Sequence, residues 1–561
     1  MILDDGGQGI LEKTDVCIVG AGPVGIAVAL ECERRGLTVT LLESGSDGFD
    51  ADAQALSTME VVDPRHHAPS DLAVRRALGG TSLIWCGRCV PYDDIDFERR
   101  EHVAESGWPI EHQDIARHYA VATSQLDCGK PVFRAPAEGG GGSSEEVHLD
   151  SLERWCRQIN SRLAHSHRLT ESAKLRIHLK CTVVDFRFAD DGERLEGVVV
   201  ASGDARRLVT AHHYVLAGGG IECTRLLLHA QTTWPRKFGG VDGPLGRFYQ
   251  GHVFGRIADI VFTDRAIGGS FDYFQDEEGF YTRRRITIDA ETQRRRRLLN
   301  IAFLPDNPWF YDHGHGSGIL SLIYLLLACE PIGRRLLPEA IRLQQIGPEP
   351  RRYLPHLANI LADLPGTAVS AMRIVRQRFL QSTRKPGFVD NRKHRYPLYY
   401  HGEHAPNPNS RVRLSGERDA LGLPRVAVDL RFADVDAHSV IASHALLDEW
   451  LRRKAIGRLE YFDAPEERCA RVLEQACDGY HQIGLTRMSS SPRQGIVDVN
   501  CKAHDVDNLF VASSSVFPTS GQANPTLLAV AMAARLAEHL EARVKSLCGL
   551  VYLERHGVPR C

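Results

Sequence analysis

The stretch from residue 15 to residue 43 constrains the fold more than any other part of the sequence. Residues 15–19 (DVCIV) form a short apolar, β-branched run of the kind found in buried parallel strands. The glycine-rich turn GAGPVG follows at 20–25, then a helical pattern that ends at Gly36, then a second strand pattern at 37–42 (LTVTLL). Strand, glycine turn, helix and strand in this order predict a β-α-β unit, the opening of a Rossmann-like domain.

The glycine turn predicts a dinucleotide site. Gly20, Gly22 and Gly25 permit a tight turn and a close approach of the backbone to a pyrophosphate, which the N-terminus of the following helix attracts. Glu43, after the second strand, can accept hydrogen bonds from a ribose diol, and an acidic residue there disfavours a 2'-phosphate. The motif alone does not distinguish FAD from NAD, because both present adenosine diphosphate to the turn.

Length and composition set the outer limits. A chain of 561 residues exceeds the usual size of one hydrophobic core, so at least two structural units are expected. A net charge of -3 and 43% hydrophobic residues describe an ordinary globular protein and argue against a nucleic-acid binder. The CxxC at Cys86 and Cys89 has no second ligand pair at recognisable spacing, so no metal is expected.

The sequence predicts neither a membrane span nor a secretory signal. The longest apolar run, 319–329, falls short of the roughly 18 residues that cross a bilayer. The N-terminal sequence MILDDGGQGI is acidic and lacks an apolar core, so we expect a cytoplasmic protein.

Further segments match one family of flavoenzymes. The stretches 77–91 (ALGGTSLIWCGRCVP), 106–109 (SGWP) and 217–228 (AGGGIECTRLLL) resemble the flavin loop, the turn after it and the second glycine segment of glucose-methanol-choline (GMC) oxidoreductases. The most specific match is C-terminal, with HQIGLTRM at 481–488 and NLFVASSSVFPTSGQANPT at 508–526. The motifs are most similar to those of the pyranose-oxidising and bacterial sugar and alcohol dehydrogenase branches.

This resemblance implies the cofactor, FAD, and the fold. The expected fold class is α/β (α+β overall), with a Rossmann-like FAD-binding domain and a second, sheet-plus-helix substrate-binding domain. The FAD-binding domain is expected to be discontinuous and to consist of residues 1–100, 170–255 and 465–545. The substrate-binding domain is expected at 256–464, and residues 101–169 are expected to connect or cover the two domains.

The resemblance also implies the site residues. In the family, a histidine three residues before the motif glycine and an asparagine or histidine near the final helix flank the reactive face of the flavin; here they are His481 and Asn524. Relatives with covalently attached flavin can carry histidine where Ile84 stands, so noncovalent FAD is expected. Ser513 replaces an aspartate of many members. The residues expected to bind the cofactor are Gly20, Gly22, Gly25, Glu43, Gly79, Gly80, Thr81, Ser82, Trp85, Val184, Ala217, Gly218, Ser513, Asn524, Pro525 and Thr526.

The chemistry of these two residues can be stated from first principles. Removing a hydride from an alcohol carbon requires that the hydroxyl proton leave as well, which suits His481 as a base. The amide of Asn524 can steady the developing alkoxide. The alternatives are a structural histidine and an asparagine that only caps a helix starting at Pro525.

The expected reaction is oxidation of a primary or secondary alcohol on a sugar, glycoside or polyol, with hydride transfer to FAD. The alternatives are a lipophilic, sterol-like alcohol, a redox-silent lyase, and the flavoprotein subunit of an electron-transfer complex. The electron acceptor stays open between dioxygen, a quinone and a protein. Segment 305–395 is expected to cover the active site between the domains and to determine the substrate.

One arginine-rich region lies outside these motifs. Residues from about 265 to 303 are expected to form a β-hairpin, in which 286–288 and 298–303 flank a turn at 289–292. The arginine clusters 283–285 and 294–297 are then expected at solvated positions, with a grip on an anionic substrate or a phospholipid surface as the alternative.

Overall fold

The computed structural model describes residues 1–4, 13–136, 146–203, 205–381, 385–391 and 393–555, except the side chains of 340 and 547–555. Within this part of the chain, none of the helices is both long and apolar enough to cross a membrane.

A six-stranded parallel sheet forms the centre of the nucleotide-binding part. The predicted first strand and second strand are neighbours in it, and all its paired strands are parallel. In sheet order its strands are Ile2–Leu3, Leu175–His178, Val39–Leu42, Thr14–Val19, Ala211–Leu216 and Leu509–Val511. Parallel strands buried on both faces explain the continuous apolar runs in the sequence. The Rossmann-like fold is thus confirmed.

Two helices cover this sheet. Helix Pro23–Arg34 begins directly after the glycine turn, and it packs against the long C-terminal helix Thr526–Arg555. Both helices contribute to one continuous hydrophobic core that also includes the central strands. The first and last parts of the chain therefore build a single unit.

A larger antiparallel sheet forms the second layer of the molecule. In sheet order its strands are Gly457–Tyr461, His252–Phe262, Arg395–Glu403, Ile301–Pro305, Tyr281–Ile288, Val147–Trp155 and Arg88–Cys89, and Phe274–Gln275 pairs with Tyr281–Ile288. Side chains alternate along the strands, so Leu398 and Tyr400 join the core beneath helix Asp434–Arg453. The neighbouring positions Tyr399 and His401 consequently belong to the opposite face of the sheet.

The other elements are small. Two three-stranded sheets are formed by Thr182–Phe188, Leu195–Ser202 and Ala205–Val209, and by Arg411–Arg418, Pro424–Asp429 and Glu60–Val61. Short helices are Ala51–Ala55, Ser70–Ala73, Asp94–Phe97, His112–Ala116, Tyr119–Gln125, Ser161–Ala164, Ser166–Glu171, Arg265–Gly269, Ala290–Arg296 and Arg468–Gln475, with 3₁₀ turns at Gly80–Leu83, His313–His315 and Ser514–Val516. Helix Gly220–Thr233 follows the second glycine segment.

A group of helices that pack on one another follows strand Ile301–Pro305 in the chain. We call residues 318–380 the cap; its helices are Gly318–Ala328, Glu330–Leu336, Glu339–Ile346, Leu354–Ala362 and Leu364–Val375, followed by the π-turn Arg376–Leu380. Strands Val147–Trp155 and Arg88–Cys89 join the large sheet from outside residues 256–464. The division of the chain into domains stays a prediction.

The arginine-rich region differs from expectation. Strands Tyr281–Ile288 and Ile301–Pro305 do pair, but helix Ala290–Arg296 connects them where a turn was predicted. Residues 283–285 are buried because their strand lies inside the sheet, and the expectation of solvated positions is wrong for them. Their charges meet oxygen atoms instead: Nε of Arg283 donates to the Phe271 carbonyl at 3.0 Å, and Nη1 of Arg285 donates to Oε1 of Gln522 at 2.6 Å.

Candidate active site

One cleft runs from the first glycine turn to His481. It lies at the carboxyl ends of the parallel strands, where ligands bind in open α/β sheets. Eleven of the predicted cofactor-binding residues line it: Gly20, Gly22, Glu43, Gly80, Thr81, Trp85, Ala217, Gly218, Ser513, Pro525 and Thr526.

The remaining predicted residues support this cleft without lining it. A Cβ on Gly25 would stand 1.9 Å from the Gly20 carbonyl oxygen, so this glycine permits close packing of helix on strand. Gly79 has a φ of +102°, and Oγ of Ser82 donates to its carbonyl at 2.5 Å. Val184 is buried, and its neighbour Val183 lines the cleft in its place.

Glu43 is held at the edge of the cleft by backbone amides. Its carboxylate accepts the N–H of Ala21 at 2.9 Å and the N–H of Gly45 at 2.8 Å. Burial raises the pKa of Glu43, and these backbone hydrogen bonds act against the increase. A carboxylate has about four acceptor positions, so two hydroxyl groups can still bind to it.

The cleft fits a pyrophosphate-containing dinucleotide. A Cβ added to Gly22 would meet no atom within 4 Å, so this turn leaves open space beside its backbone. A Cβ on Gly80 would lie 2.7 Å from Cα of Gly22, so the flavin loop crosses directly over the turn. The N-termini of helices Pro23–Arg34 and Thr526–Arg555 both reach the cleft, and each favours negative charge there.

His481 and Asn524 meet at the far end of this cleft. Nδ2 of Asn524 lies 3.0 Å from Nε2 of His481. Since the amide nitrogen can only donate, Nε2 accepts, and it therefore carries a lone pair and no proton. Oδ1 of Asn524 is buried without a hydrogen-bond partner among the described residues, and it caps no helix. The pair is thus a proton acceptor beside a free amide oxygen.

Asp478 orients the histidine. Its Oδ2 lies 2.9 Å from Nδ1 of His481, which donates the ring proton to it. The same carboxylate accepts the backbone N–H of His252 at 2.7 Å and that of Tyr480 at 2.9 Å. Burial acts to raise the pKa of Asp478, but His481 and His252 outweigh this effect and hold the pKa well below its usual range. Asp478 is therefore a buried anion that fixes the tautomer of the base.

Two further histidines complete a cluster. His252, His401 and His481 bring one ring nitrogen each within 4.8 Å of one another, although they come from two strands and a loop. Burial lowers the pKa of His252 to about 4, and burial also lowers the pKa of His401 well below its usual range. Nδ1 of His252 lies 3.0 Å from Nδ1 of His481, so these two nitrogens already serve in hydrogen bonds. The expectation of no metal stays a prediction.

Two glycines shape the loop that carries the histidine. Gly479 has a φ of +115°, and a Cβ there would lie 2.6 Å from the His67 ring. Gly484 has a φ of +87°, and a Cβ there would lie 2.0 Å from the Phe248 carbonyl oxygen. Residues with a side chain rarely adopt such backbone angles, so glycine is required at both positions of this loop. His481 is held between these two fixed points.

Sequence reasoning missed Asp478, His252 and His401. Asp478 stands only three residues before His481, and a carboxylate this close to a candidate base could have been considered as its partner. His252 and His401 begin and end neighbouring strands that are distant in sequence, and no local pattern marks them.

Comparisons with known proteins match both ends of the chain. Residues 406–533 match the family model of GMC oxidoreductases, and residues 15–70 match that of FAD dependent oxidoreductases. The fructose dehydrogenase large subunit of Gluconobacter japonicus is 31% identical over 147 residues, but this match covers 26% of the chain and only 25% of that protein.

Two relatives align over nearly the whole length. The 2-methyl-1,2-propanediol dehydrogenase of Mycolicibacterium austroafricanum is 21% identical, with 96% of each protein covered. The 6'''-hydroxyparomomycin C oxidase of Streptomyces lividus is 28% identical, with 94% of this chain and 92% of that protein covered. Among solved structures, pyridoxine 4-oxidase from Mesorbium loti has the same fold, with a TM-score of 0.50, 16% identity and coverage of 94% and 98%. The chain therefore carries a C-terminal segment that matches GMC oxidoreductases and an N-terminal segment that matches FAD dependent oxidoreductases, its whole-length relatives act on alcohol groups, and the protein is an FAD-dependent oxidoreductase.

Proposed function

We propose that this enzyme oxidises the CH–OH group of a small alcohol, with His481 as the base. The single observation that carries the proposal is the 3.0 Å contact between Nε2 of His481 and Nδ2 of Asn524 at the end of the cofactor cleft. FAD, when bound in the cleft, supplies the acceptor for the hydride. The residues predicted to contact FAD belong to this proposal.

The described side chains account for the proton. Nε2 of His481 takes the proton of the substrate hydroxyl, and the ring becomes positively charged. Asp478 stabilises this charge because it is a buried anion 2.9 Å from Nδ1. Asn524 then loses its acceptor at Nε2, and its N–H groups become available to the developing alkoxide.

For the substrate, we propose a primary or secondary hydroxyl of a sugar, glycoside or polyol. The three relatives are named after fructose, 2-methyl-1,2-propanediol and a hydroxyparomomycin, which are a sugar, a diol and an aminoglycoside. Each of these compounds carries hydroxyl groups. The surroundings of His481 are also polar, because His401 brings a ring nitrogen within 4.8 Å of those of His481 and His252. These groups favour a substrate with several hydroxyls over a simple hydrocarbon alcohol.

A lipophilic alcohol is the second candidate, and one observation favours it. An apolar cavity of about 320 Å³ is lined by residues of the cap and of the segments that flank it, and all of its lining residues except Tyr273 belong to the segment 305–395 that we propose as the substrate-determining cover. Most of its walls are leucine, isoleucine, valine and phenylalanine side chains. A hydrocarbon tail or ring system fits such walls better than a sugar does.

Two finer points complete the proposal. We propose that FAD is bound noncovalently, since Ile84 offers no nucleophile to the flavin where some relatives carry histidine. We also propose a cytoplasmic location, because Cys89 and Cys156 are unbridged thiols although their Sγ atoms lie 3.6 Å apart, as is usual in a reducing compartment.

Anaerobic mixing with candidate alcohols tests the proposal. We expect absorbance near 450 nm to bleach with polyols or sugar derivatives, and a screen with a two-electron dye, with and without oxygen, then identifies the acceptor. Turnover of a cyanohydrin without any bleaching would instead indicate a redox-silent lyase. Copurification with a cytochrome subunit would establish an electron-transfer complex.

A further inference from the structure

The outer surface of the cap is unusually apolar. More than half of the large hydrophobic side chains that are exposed in the described part of the chain lie between 326 and 380. The most exposed are Leu354 at 79%, Leu380 at 75%, Leu361 at 73% and Met372 at 65%. Surface leucines scattered singly need no explanation, but a concentration of this kind indicates a binding surface.

The two outer helices of the cap carry apolar side chains on their exposed face, which is the reverse of an ordinary surface helix. In Leu354–Ala362, the apolar positions 354, 357 and 361 face outward, while His356 is buried and its Nδ1 lies 3.0 Å from Oγ of Ser321. In Leu364–Val375, Met372 is exposed, whereas Thr367 is buried. A surface helix in water normally places its apolar stripe inward. These helices present it to their surroundings.

Positive charge accompanies the apolar surface. Arg335, Arg352, Arg373 and Arg376 are exposed on the cap and pair with no carboxylate among the described residues. The segment 330–385 has ten basic and four acidic residues, although the whole chain has a net charge of -3. Exposed leucines flanked by arginines complement a surface that is negatively charged at its boundary and apolar below it.

The apolar cavity lies directly beneath this surface. Leu326 and Val375 line the cavity and are also exposed on the outside of the cap. The cavity is also lined by Asp306, which accepts a hydrogen bond from Nη2 of Arg256 in the strand that begins with His252. One wall residue of the cavity is thus hydrogen-bonded to the strand that carries His252.

We propose that the cap is a docking surface for the face of an anionic lipid bilayer. Its outer helices have nine and twelve residues, too short to span a membrane but sufficient to lie in its interface with their leucines inserted. The arginines contact the lipid headgroups. Docking places the mouth of the cavity against the hydrocarbon, so an apolar alcohol can enter without crossing water. The docking itself does not depend on the proposed reaction.

Vesicle cosedimentation of the FAD-loaded full chain tests the proposal. We expect sedimentation with phosphatidylcholine vesicles that contain about 30 mol% phosphatidylglycerol, and much weaker binding to phosphatidylcholine alone, because each arginine near an anionic surface contributes about fivefold to binding. The double variants Leu361→Glu with Met372→Glu, and Arg373→Glu with Arg376→Glu, should each lower the partition coefficient at least about tenfold.

Matched controls carry the same changes elsewhere. Val241→Glu with Phe462→Glu alters two exposed apolar residues, and Arg187→Glu with Arg236→Glu alters two exposed arginines, all outside the cap. Both should bind vesicles as the unchanged protein does, and FAD per chain reports folding in every variant. Absence of sedimentation by the unchanged protein, or equal losses in the controls, overturns the proposal. So does a dimer in light scattering that Leu361→Glu with Met372→Glu converts to monomer, since a second copy would then cover this surface.

Discussion

The side-chain amide of Asn524 donates to Nε2 of His481 across 3.0 Å, and this bond exists only while Nε2 is unprotonated. Proton transfer to His481 therefore breaks it. The released N–H can turn to the substrate oxygen at the moment that oxygen becomes negative. In the proposed reaction, deprotonation of the alcohol and stabilisation of the alkoxide are thus two halves of one exchange of hydrogen bonds.

Replacement of His481 by alanine should slow flavin reduction by roughly two to four orders of magnitude, the usual contribution of a positioned general base. FAD should stay bound. Anaerobic rapid mixing with substrate isolates the step, and His438→Ala, an exposed histidine on helix Asp434–Arg453, serves as control. An unchanged rate in His481→Ala from pH 6 to 9 would contradict the assignment of the base.

The variant Asp478→Asn tests the orienting carboxylate. It keeps an acceptor for the ring N–H but removes the buried anion that stabilises the imidazolium, so flavin reduction at saturating substrate should fall by about two to four orders of magnitude. The substrate concentration for half-maximal reduction should change by less than about threefold, because Asp478 acts through His481 and does not bind substrate. A large change in that concentration with a normal limiting rate would argue for a binding role instead.

Asn524→Ala should slow flavin reduction less than His481→Ala does, on the order of ten- to a thousandfold. The reason is that this variant removes one hydrogen bond to an oxyanion. The unfolding free energy should change little, because Oδ1 of Asn524 caps no helix. Asn524→Ser, which retains a capping oxygen, is the comparison. A loss of stability of about 1 kcal/mol in the alanine variant that serine restores would show that the residue does act as a cap.

Acid precipitation should release the yellow cofactor into the supernatant, since Ile84 cannot form a bond to the flavin. Absorbance of the supernatant and pellet gives the partition, and mass spectrometry of the washed chain provides an independent reading. Colour that stays with the pellet, together with a chain mass increased by FAD, would refute noncovalent binding.

Buried His444 should make the protein sensitive to acid. Burial lowers its pKa to about 4, so the unfolded chain binds more protons than the folded chain between about pH 6.5 and pH 4, and stability falls as the pH is lowered through this range. At pH 5 this histidine alone lowers the free energy of unfolding by about 2 kcal/mol. His444→Gln should therefore lose less stability between pH 7 and pH 5 in urea unfolding than the unchanged protein. An identical loss would show that His444 stays neutral in the unfolded state or is not buried.

Local sequence patterns predicted those parts of the site that are formed by residues close together in the sequence. The turn at Gly20 and Gly22 and the histidine at 481 are examples, because each belongs to a motif with a fixed local geometry. The partners of His481 were harder to foresee. His252 and His401 approach it only because two antiparallel strands bring their ends together, and pairing over such separations leaves no trace in a local window.

The burial of the arginines at 283–285 was also not predictable from a local sequence pattern. Three consecutive charges suggest a solvated position, and the sequence contains no sign that carbonyl oxygens and an amide from distant segments will surround them. Burial of a charge is decided by the tertiary partners available to it, which residue type alone does not specify.

The parallel sheet has a consequence for biosynthesis. Its edge strand Leu509–Val511 leads directly into Ala512 and Ser513, and these two residues and the helix that begins at Thr526 border the cleft built on the first glycine turn, although they come almost 500 residues later in the chain. A ribosome that has translated the whole antiparallel sheet has still not supplied the residues that close the site. The cleft on the N-terminal β-α-β unit therefore stays incomplete until residues 509–529 have been synthesised, and we expect FAD to bind only after that point.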